Sequence, residues 1–164
     1  MLEAAIALGC RKFIACGGAG VLDRDISVGC LVVPKAAVRE ERTSYHYLPP
    51  GREAEASPEG VAASEQILKK RGIDYVASKT RITDAPYRER PAKVKLRKSD
   101  GCLTVEMEAA AFFSVAHFRG AILAQMLYAG DDVSAEEWDH RDLANQASVR
   151  ERLFWLAAEA CLTL

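Results

Sequence analysis

The sequence has no surplus of one charge, no long apolar run and no paired cysteines, and each absence removes a class of function. Lys and Arg number 22 against 23 Asp and Glu, a formal net charge of -1, so nothing points to a nucleic-acid backbone or an anionic membrane as partner. No apolar stretch approaches the roughly 20 residues that cross a bilayer. The five cysteines (Cys10, Cys16, Cys30, Cys102 and Cys161) are odd in number and widely spaced, with neither a C-x-x-C pair nor a Cys/His cluster of zinc spacing. They read as reduced, mostly buried thiols, and no metal site is expected. The first nine residues lack the basic region and apolar core of a signal peptide, so a cytoplasmic location is expected. What is present is a 49% hydrophobic content over 164 residues, enough for one domain with a substantial core.

The opening residues to Leu8 read as the second half of an amphipathic helix, closed by Gly9 and lacking a capping residue ahead of it. Apolar runs predict strands at about 12–16, where the chain meets Gly17-Gly18-Ala19-Gly20, and at about 29–33, stopping at Pro34. Residues 40–57, with Pro49-Pro50-Gly51 and Tyr45-His46-Tyr47, read as an ordered surface loop. Ser57 and Pro58 are suited to the cap and first position of a helix that ends at Gly72. A strand is expected at 74–82, then a loop through Thr83-Asp84-Ala85-Pro86-Tyr87-Arg88-Glu89-Arg90-Pro91. The basic segment with Lys93, Lys95, Arg97 and Lys98 reads as a solvated surface helix or strand. A short strand at 102–105, a buried helix at 106–119 with His117 as a packing residue, a strand at 121–128, a loop at 129–132 and a closing helix at 145–164 complete the chain. Trp138 and Trp155 read as packing residues. Strands alternating with helices predict an α/β domain on a parallel or mixed sheet.

Open α/β sheets bind ligands at the carboxyl ends of their strands, which singles out three clusters. Gly17-Gly18-Ala19-Gly20 reads either as backbone able to approach an anion or as a tight strand exit; it lacks the following helix of a dinucleotide fingerprint. Glu106 and Glu108 flank Met107 at a strand-to-helix junction. The helix dipole accounts for one carboxylate there, whereas a second, partly buried one needs hydroxyls or cations as partners. Asp131 and Asp132 read either as a solvated acidic loop or as the source of a general acid.

These residues carry a resemblance. Thr104-Val105-Glu106-Met107-Glu108-Ala109-Ala110-Ala111, preceded by Gly101 and followed by Gly130-Asp131-Asp132-Val133-Ser134, resembles the nucleoside phosphorylase family of uridine and purine nucleoside phosphorylases. Thr83-Asp84-Ala85-Pro86-Tyr87-Arg88, Thr43-Ser44-Tyr45-His46-Tyr47 and the glycine cluster extend the likeness from about Ala7 to Arg141. The resemblance implies a single domain, residues 1–164, with a three-layer αβα fold around a mixed sheet. It also implies cleavage of a nucleoside, uridine-like by preference with purine left open, to free base and ribose 1-phosphate, with inorganic phosphate as co-substrate and no cofactor. By the same resemblance Met107 and Glu108 hold the ribose, Val105 and Glu106 lie beside the base with Tyr87 and Arg88, Gly17 and Gly18 face phosphate, and Asp131 serves a departing purine as acid.

The chain also departs from the family pattern. The arginine and the Ser or Thr that the family carries for phosphate align with Ala15 and Gly18, and nothing corresponds to the family's N-terminal strands and separate phosphate loop. The expectation is therefore the C-terminal portion of the family fold, assembling as a homo-oligomer because absent strands expose an edge. A hydrolytic nucleosidase and a nucleoside-binding protein without turnover are the alternatives.

Overall fold

The computed structural model describes residues 1–135, 137–141 and 146–164. In chain order the elements are α1 (Leu2–Ala7), β1 (Lys12–Val21), β2 (Leu31–Val38), β3 (Glu53–Glu55), α2 (Pro58–Lys70), β4 (Tyr75–Ile82), α3 (Pro91–Ser99), β5 (Cys102–Glu106), α4 (Ala109–Arg119), β6 (Ile122–Asp132) and α5 (Ala147–Leu162). Short 3-10 turns occupy Thr43–His46 and Pro86–Arg88.

The six strands form one mixed sheet in the order β3-β2-β4-β5-β1-β6. β2, β4 and β5 run parallel to one another, as do β1 and β6, and the two sets meet antiparallel where Gly20 and Val21 pair with Val105 and Thr104. Leu31 and Val32 also pair antiparallel with Tyr128 and Leu127, so the sheet curls until β2 touches β6. The topology thus brings the carboxyl ends of β1 and β5 face to face, and a crevice opens there.

Helices cover both sides of the sheet. α2 and α5 pack on β1 and β6 and on each other, burying Ile67, Leu68, Leu153 and Leu156 against Leu31, Val33 and Met126. α4 lies on the other side, where Phe113 and its alanines meet Ala37, Ile82 and Leu123, with Ile6 of α1 alongside. A Cβ on Gly60 of α2 would stand 2.8 Å from the Cβ of Ala124, so only glycine lets this helix approach β6 so closely.

Several sequence expectations need correction. β1 does not stop at Cys16 but runs on through all of Gly17-Gly18-Ala19-Gly20, because β6 pairs with it through Ala19 and, after a register shift, again at Val21. β2 passes through Pro34, where a register shift between Pro34 and Ala36 absorbs the missing donor. The expected loop at 129–132 is the end of β6, and Glu53–Glu55 of the expected 40–57 loop pairs with β2. The basic segment forms the surface helix α3, one of the two forms expected for it. Ser57 precedes α2 as expected, but its hydroxyl accepts the Leu123 N–H (2.9 Å) in place of a helix amide. Of the five thiols only Cys102 is buried; Cys10 and Cys16 are exposed. His117 is exposed at the end of α4, and Trp138 and Trp155 are exposed as well. The closing helix begins at Ala147, and position 145 lies outside the described residues.

Candidate active site

A cavity of about 580 Å³ fills the crevice between the carboxyl ends of β1, β5 and β6. Its wall includes Val105, Glu106, Met107 and Glu108 from the end of β5, Gly18 from β1, Asp131 from β6 and Tyr87 from the 83–91 loop. The structure therefore brings together seven of the residues singled out by sequence. Gly17 and Arg88 do not line it, and Arg88 is exposed. None of Gly17, Gly18 and Gly20 has positive φ. The reason for glycine at 18 is steric: a Cβ there would stand 2.7 Å from the Tyr128 ring, which fills the space beside it.

Glu106 closes β5 and caps the next helix. Its Oε2 accepts the N–H groups of Glu108 (2.9 Å) and Ala109 (2.8 Å), satisfying two free donors at the start of α4. Gln125 Nε2 approaches the same oxygen at 3.5 Å, while Oε1 is buried without a hydrogen-bond partner among the described residues. Burial pushes this carboxyl up to about 7, the backbone bonds only partly opposing it and the nearby Glu108 charge adding to the rise. Glu108 differs in kind. It is exposed toward the cavity, and its side chain makes no hydrogen bond or ion pair among the described residues.

The raised Glu106 carboxyl has a consequence for stability. The protonated form is the one favoured in the folded state, so the contribution is intact below the ordinary value of 4.5 and is lost as pH rises through about 7. A shift of this size corresponds to about 3 kcal/mol. Urea unfolding at about pH 5 and pH 8 should show the wild type losing that much more stability than Glu106→Gln, which keeps an acceptor for the helix amides. Equal losses in both proteins would contradict the assignment.

The two aspartates at the end of β6 face opposite ways, as strand alternation requires. Asp131 lines the cavity and accepts the indole N–H of Trp138 at 2.6 Å. Asp132 is buried and points away, its Oδ1 accepting the Ser134 N–H (2.8 Å) and its Oδ2 approached by Arg24 (3.2 Å) and Arg141 (3.4 Å). Burial alone would raise the Asp132 carboxyl; the bonds from Ser134 and Arg24 and the Arg141 charge outweigh it and hold the group below the usual range.

The 83–91 loop is held from beneath. Thr83 donates its N–H to the Glu106 carbonyl (2.9 Å), and Glu89 is ion-paired with Arg81. Arg81 is fully buried and also bonds Glu40 at 2.7 Å, which Arg97 meets at 2.6 Å. Burial would raise the Glu40 carboxyl, but the bonds from Arg97 and Arg81 and the charge of Lys93 hold it low.

Sequence reasoning missed Tyr128, Trp138 and Thr83 as lining residues. The position of Tyr128 opposite Gly18 follows from the β1–β6 register, which no local pattern reveals. Among the described lining residues Glu89 is ion-paired with buried Arg81 and Glu106 is bonded to the helix amides, so Glu108 and Asp131 are the carboxyl groups offered to the cavity, with the Arg90 guanidinium also in the wall. Such a wall suits hydroxyls and developing positive charge better than a free anion.

The guanosine phosphorylase of Halorubrum lacusprofundi is 32% identical over 117 residues, covering 69% of this chain and 47% of that protein. The uridine phosphorylase of Thermococcus kodakarensis is 34% identical over 86 residues, covering 52% of this chain and 31% of its own length. The chain thus spans half or less of the curated relatives it matches. Among solved structures, the purine nucleoside phosphorylase of Toxoplasma gondii, in complex with immucillin-H, superposes with a TM-score of 0.86 at 22% identity over 99% of this chain and 67% of that one. AMP nucleosidase from Bacteroides thetaiotaomicron gives 0.72 at 24% identity, over 92% and 59%. Both likenesses establish the αβα fold around a mixed sheet. The phosphorylase superfamily profile matches residues 1–161, and the chain belongs to that superfamily.

Proposed function

We propose that the cavity binds a nucleoside and that the protein cleaves its N-glycosidic bond with inorganic phosphate, releasing free base and ribose 1-phosphate. The observation that carries this reading is the convergence of Met107, the unpartnered Glu108 carboxylate and Asp131 on one cavity that Tyr87 closes from the loop side. Glu108 accepts hydrogen bonds from the 2′- and 3′-hydroxyls, with Met107 packed on the sugar. As the bond from C1′ to the base nitrogen breaks, its electron pair leaves with the base and positive charge develops on the sugar, which the acidic wall stabilises. The phosphate oxygen then bonds to C1′. Asp131 passes a proton to a departing purine; for a uracil the polar groups of the 83–91 loop take that part. The two curated relatives, named for guanosine and uridine, support either base.

A second reading, hydrolysis by water to base and free ribose, is favoured by one specific observation. By the resemblance, the family's phosphate-binding positions hold Ala15 and Gly18, and Tyr128 covers the latter. A homo-oligomer belongs to both readings, since β1 pairs with β5 only at Gly20 and Val21 and leaves its edge open along Lys12–Ala19 among the described residues. The test is base release from uridine, inosine and adenosine with and without phosphate. Phosphate-dependent release supports the first reading, phosphate-independent release the second, and binding without release defeats both.

A further inference from the structure

Trp138 stands out as a large, half-exposed aromatic side chain placed at a carboxylate. Its ring is 48% exposed, yet it lines the cavity and its Nε1 donates to Asp131 Oδ2 at 2.6 Å. The segment that carries it is pinned. Asp132 and Asp139 exchange both backbone hydrogen bonds, 2.8 and 3.1 Å, and Arg141 donates to the carbonyls of Ile26 (2.7 Å) and Arg24 (2.8 Å) as well as reaching Asp132. Such a bridge holds position 138 diagonally across from Asp131. The indole is edge-on to Tyr87, with centroids 6.4 Å apart, and lies against His140 at 4.2 Å. Two loops distant in sequence therefore set two aromatic rings at one side of the cavity.

We propose that Trp138 is a positioning and specificity residue of this site, fixing one oxygen of Asp131 so that the other meets the base, while its ring and Tyr87 form the wall along which a purine lies. The second oxygen, Oδ1, is the one near Gly20, 3.4 Å from where a Cβ would stand there. A hydrogen bond to the bound oxygen removes the carboxylate's freedom to turn away, so the acid is already oriented when the purine arrives. A flat ring beside it offers stacking area at the place where the base must lie. A bicyclic base covers this wall more fully than a uracil. The inference rests on the nucleoside reading and goes further by assigning the purine class to it.

The sequence holds two tryptophans, so Trp155→Phe leaves Trp138 as the sole tryptophan, read by excitation at the red edge where tyrosine does not absorb. Inosine is titrated into this protein by fluorescence and calorimetry together, and Trp138→Phe and Asp131→Asn, singly and combined, are assayed for base release. Trp138 emission should change with the midpoint seen in the heats. Loss of the indole donor in Trp138→Phe should lower kcat for inosine about tenfold, with KM moving less than about threefold. The same substitution should have almost no further effect once Asp131 is asparagine. Inosine that binds without altering the emission overturns the aromatic wall. An undiminished kcat in Trp138→Phe, or equal losses with and without Asp131, overturns the positioning role. Either result leaves the nucleoside reading standing, whereas no heat and no release with any nucleoside removes both.

Discussion

Replacing Glu108 by glutamine should lower kcat/KM for a ribonucleoside by about 10²- to 10³-fold while leaving the fold intact. The carboxylate stands at the entry to α4 and faces the cavity without a side-chain partner among the described residues. No described residue takes up its acceptor capacity, which is offered to a diol. A hydrogen bond to a charged group contributes about 1.5–3 kcal/mol, and glutamine retains one weaker acceptor, so the loss is a fraction of two such bonds. The local backbone does not depend on the side chain: the Glu108 N–H bonds Glu106 and its carbonyl accepts from Phe112 whatever the residue. Unfolding free energy should therefore move by less than about 0.5 kcal/mol. A variant with unchanged kinetics would remove the ribose role.

The largest stability effect should follow from Arg81→Met. Arg81 is 0% exposed and holds Glu40 and Glu89 at once. Glu40 keeps Arg97 and Lys93 when the guanidinium is gone, but Glu89 keeps no cation among the described residues. Breaking a buried ion pair on one side costs about 3–5 kcal/mol, because the remaining charge stays desolvated. Urea unfolding should show a loss of that order. The double variant Arg81→Met with Glu89→Leu should recover part of it, since no uncompensated carboxylate is left. Nucleoside binding should weaken in the single variant as well, because Glu89 anchors the loop that carries Tyr87. A loss under about 1 kcal/mol would show that the pairing does not hold the loop.

How far the site was legible depends on which interactions are local. The stretch Thr104 to Ala111 announced a strand end followed by a helix start, and the structure places Glu106, Met107 and Glu108 at that junction, in the cavity. The ends of β1 and β6 were misjudged for one shared reason. Gly17 to Gly20 and Ala129 to Asp132 have the composition of turns, yet both lie in the parallel β1–β6 ladder, which pairs Gly17 with Leu127, Gly18 with Tyr128, Ala19 with Ala129 and Val21 with Asp132, and tertiary pairing overrides local preference. Tyr128 over Gly18 is a product of that same register. Trp138 acts from an irregular segment through a hydrogen bond to Asp131, so no periodicity marks it. Arg81 falls inside the expected 74–82 strand with nothing local to mark it; its burial depends on Glu40 and Glu89 arriving from two other segments. The curl that joins β2 to β6 is likewise set by contacts about a hundred residues apart in sequence.

The claim that the cavity is a nucleoside site gripping the ribose is tested most directly by calorimetric titration of the full chain with inosine and uridine, and with their 2′,3′-dideoxy counterparts. At least one ribonucleoside should bind, and its dideoxy counterpart should bind about 10- to 100-fold more weakly, a gap that closes in Glu108→Gln. Equal affinity for ribo and dideoxy forms, or a gap that Glu108→Gln leaves intact, would contradict it.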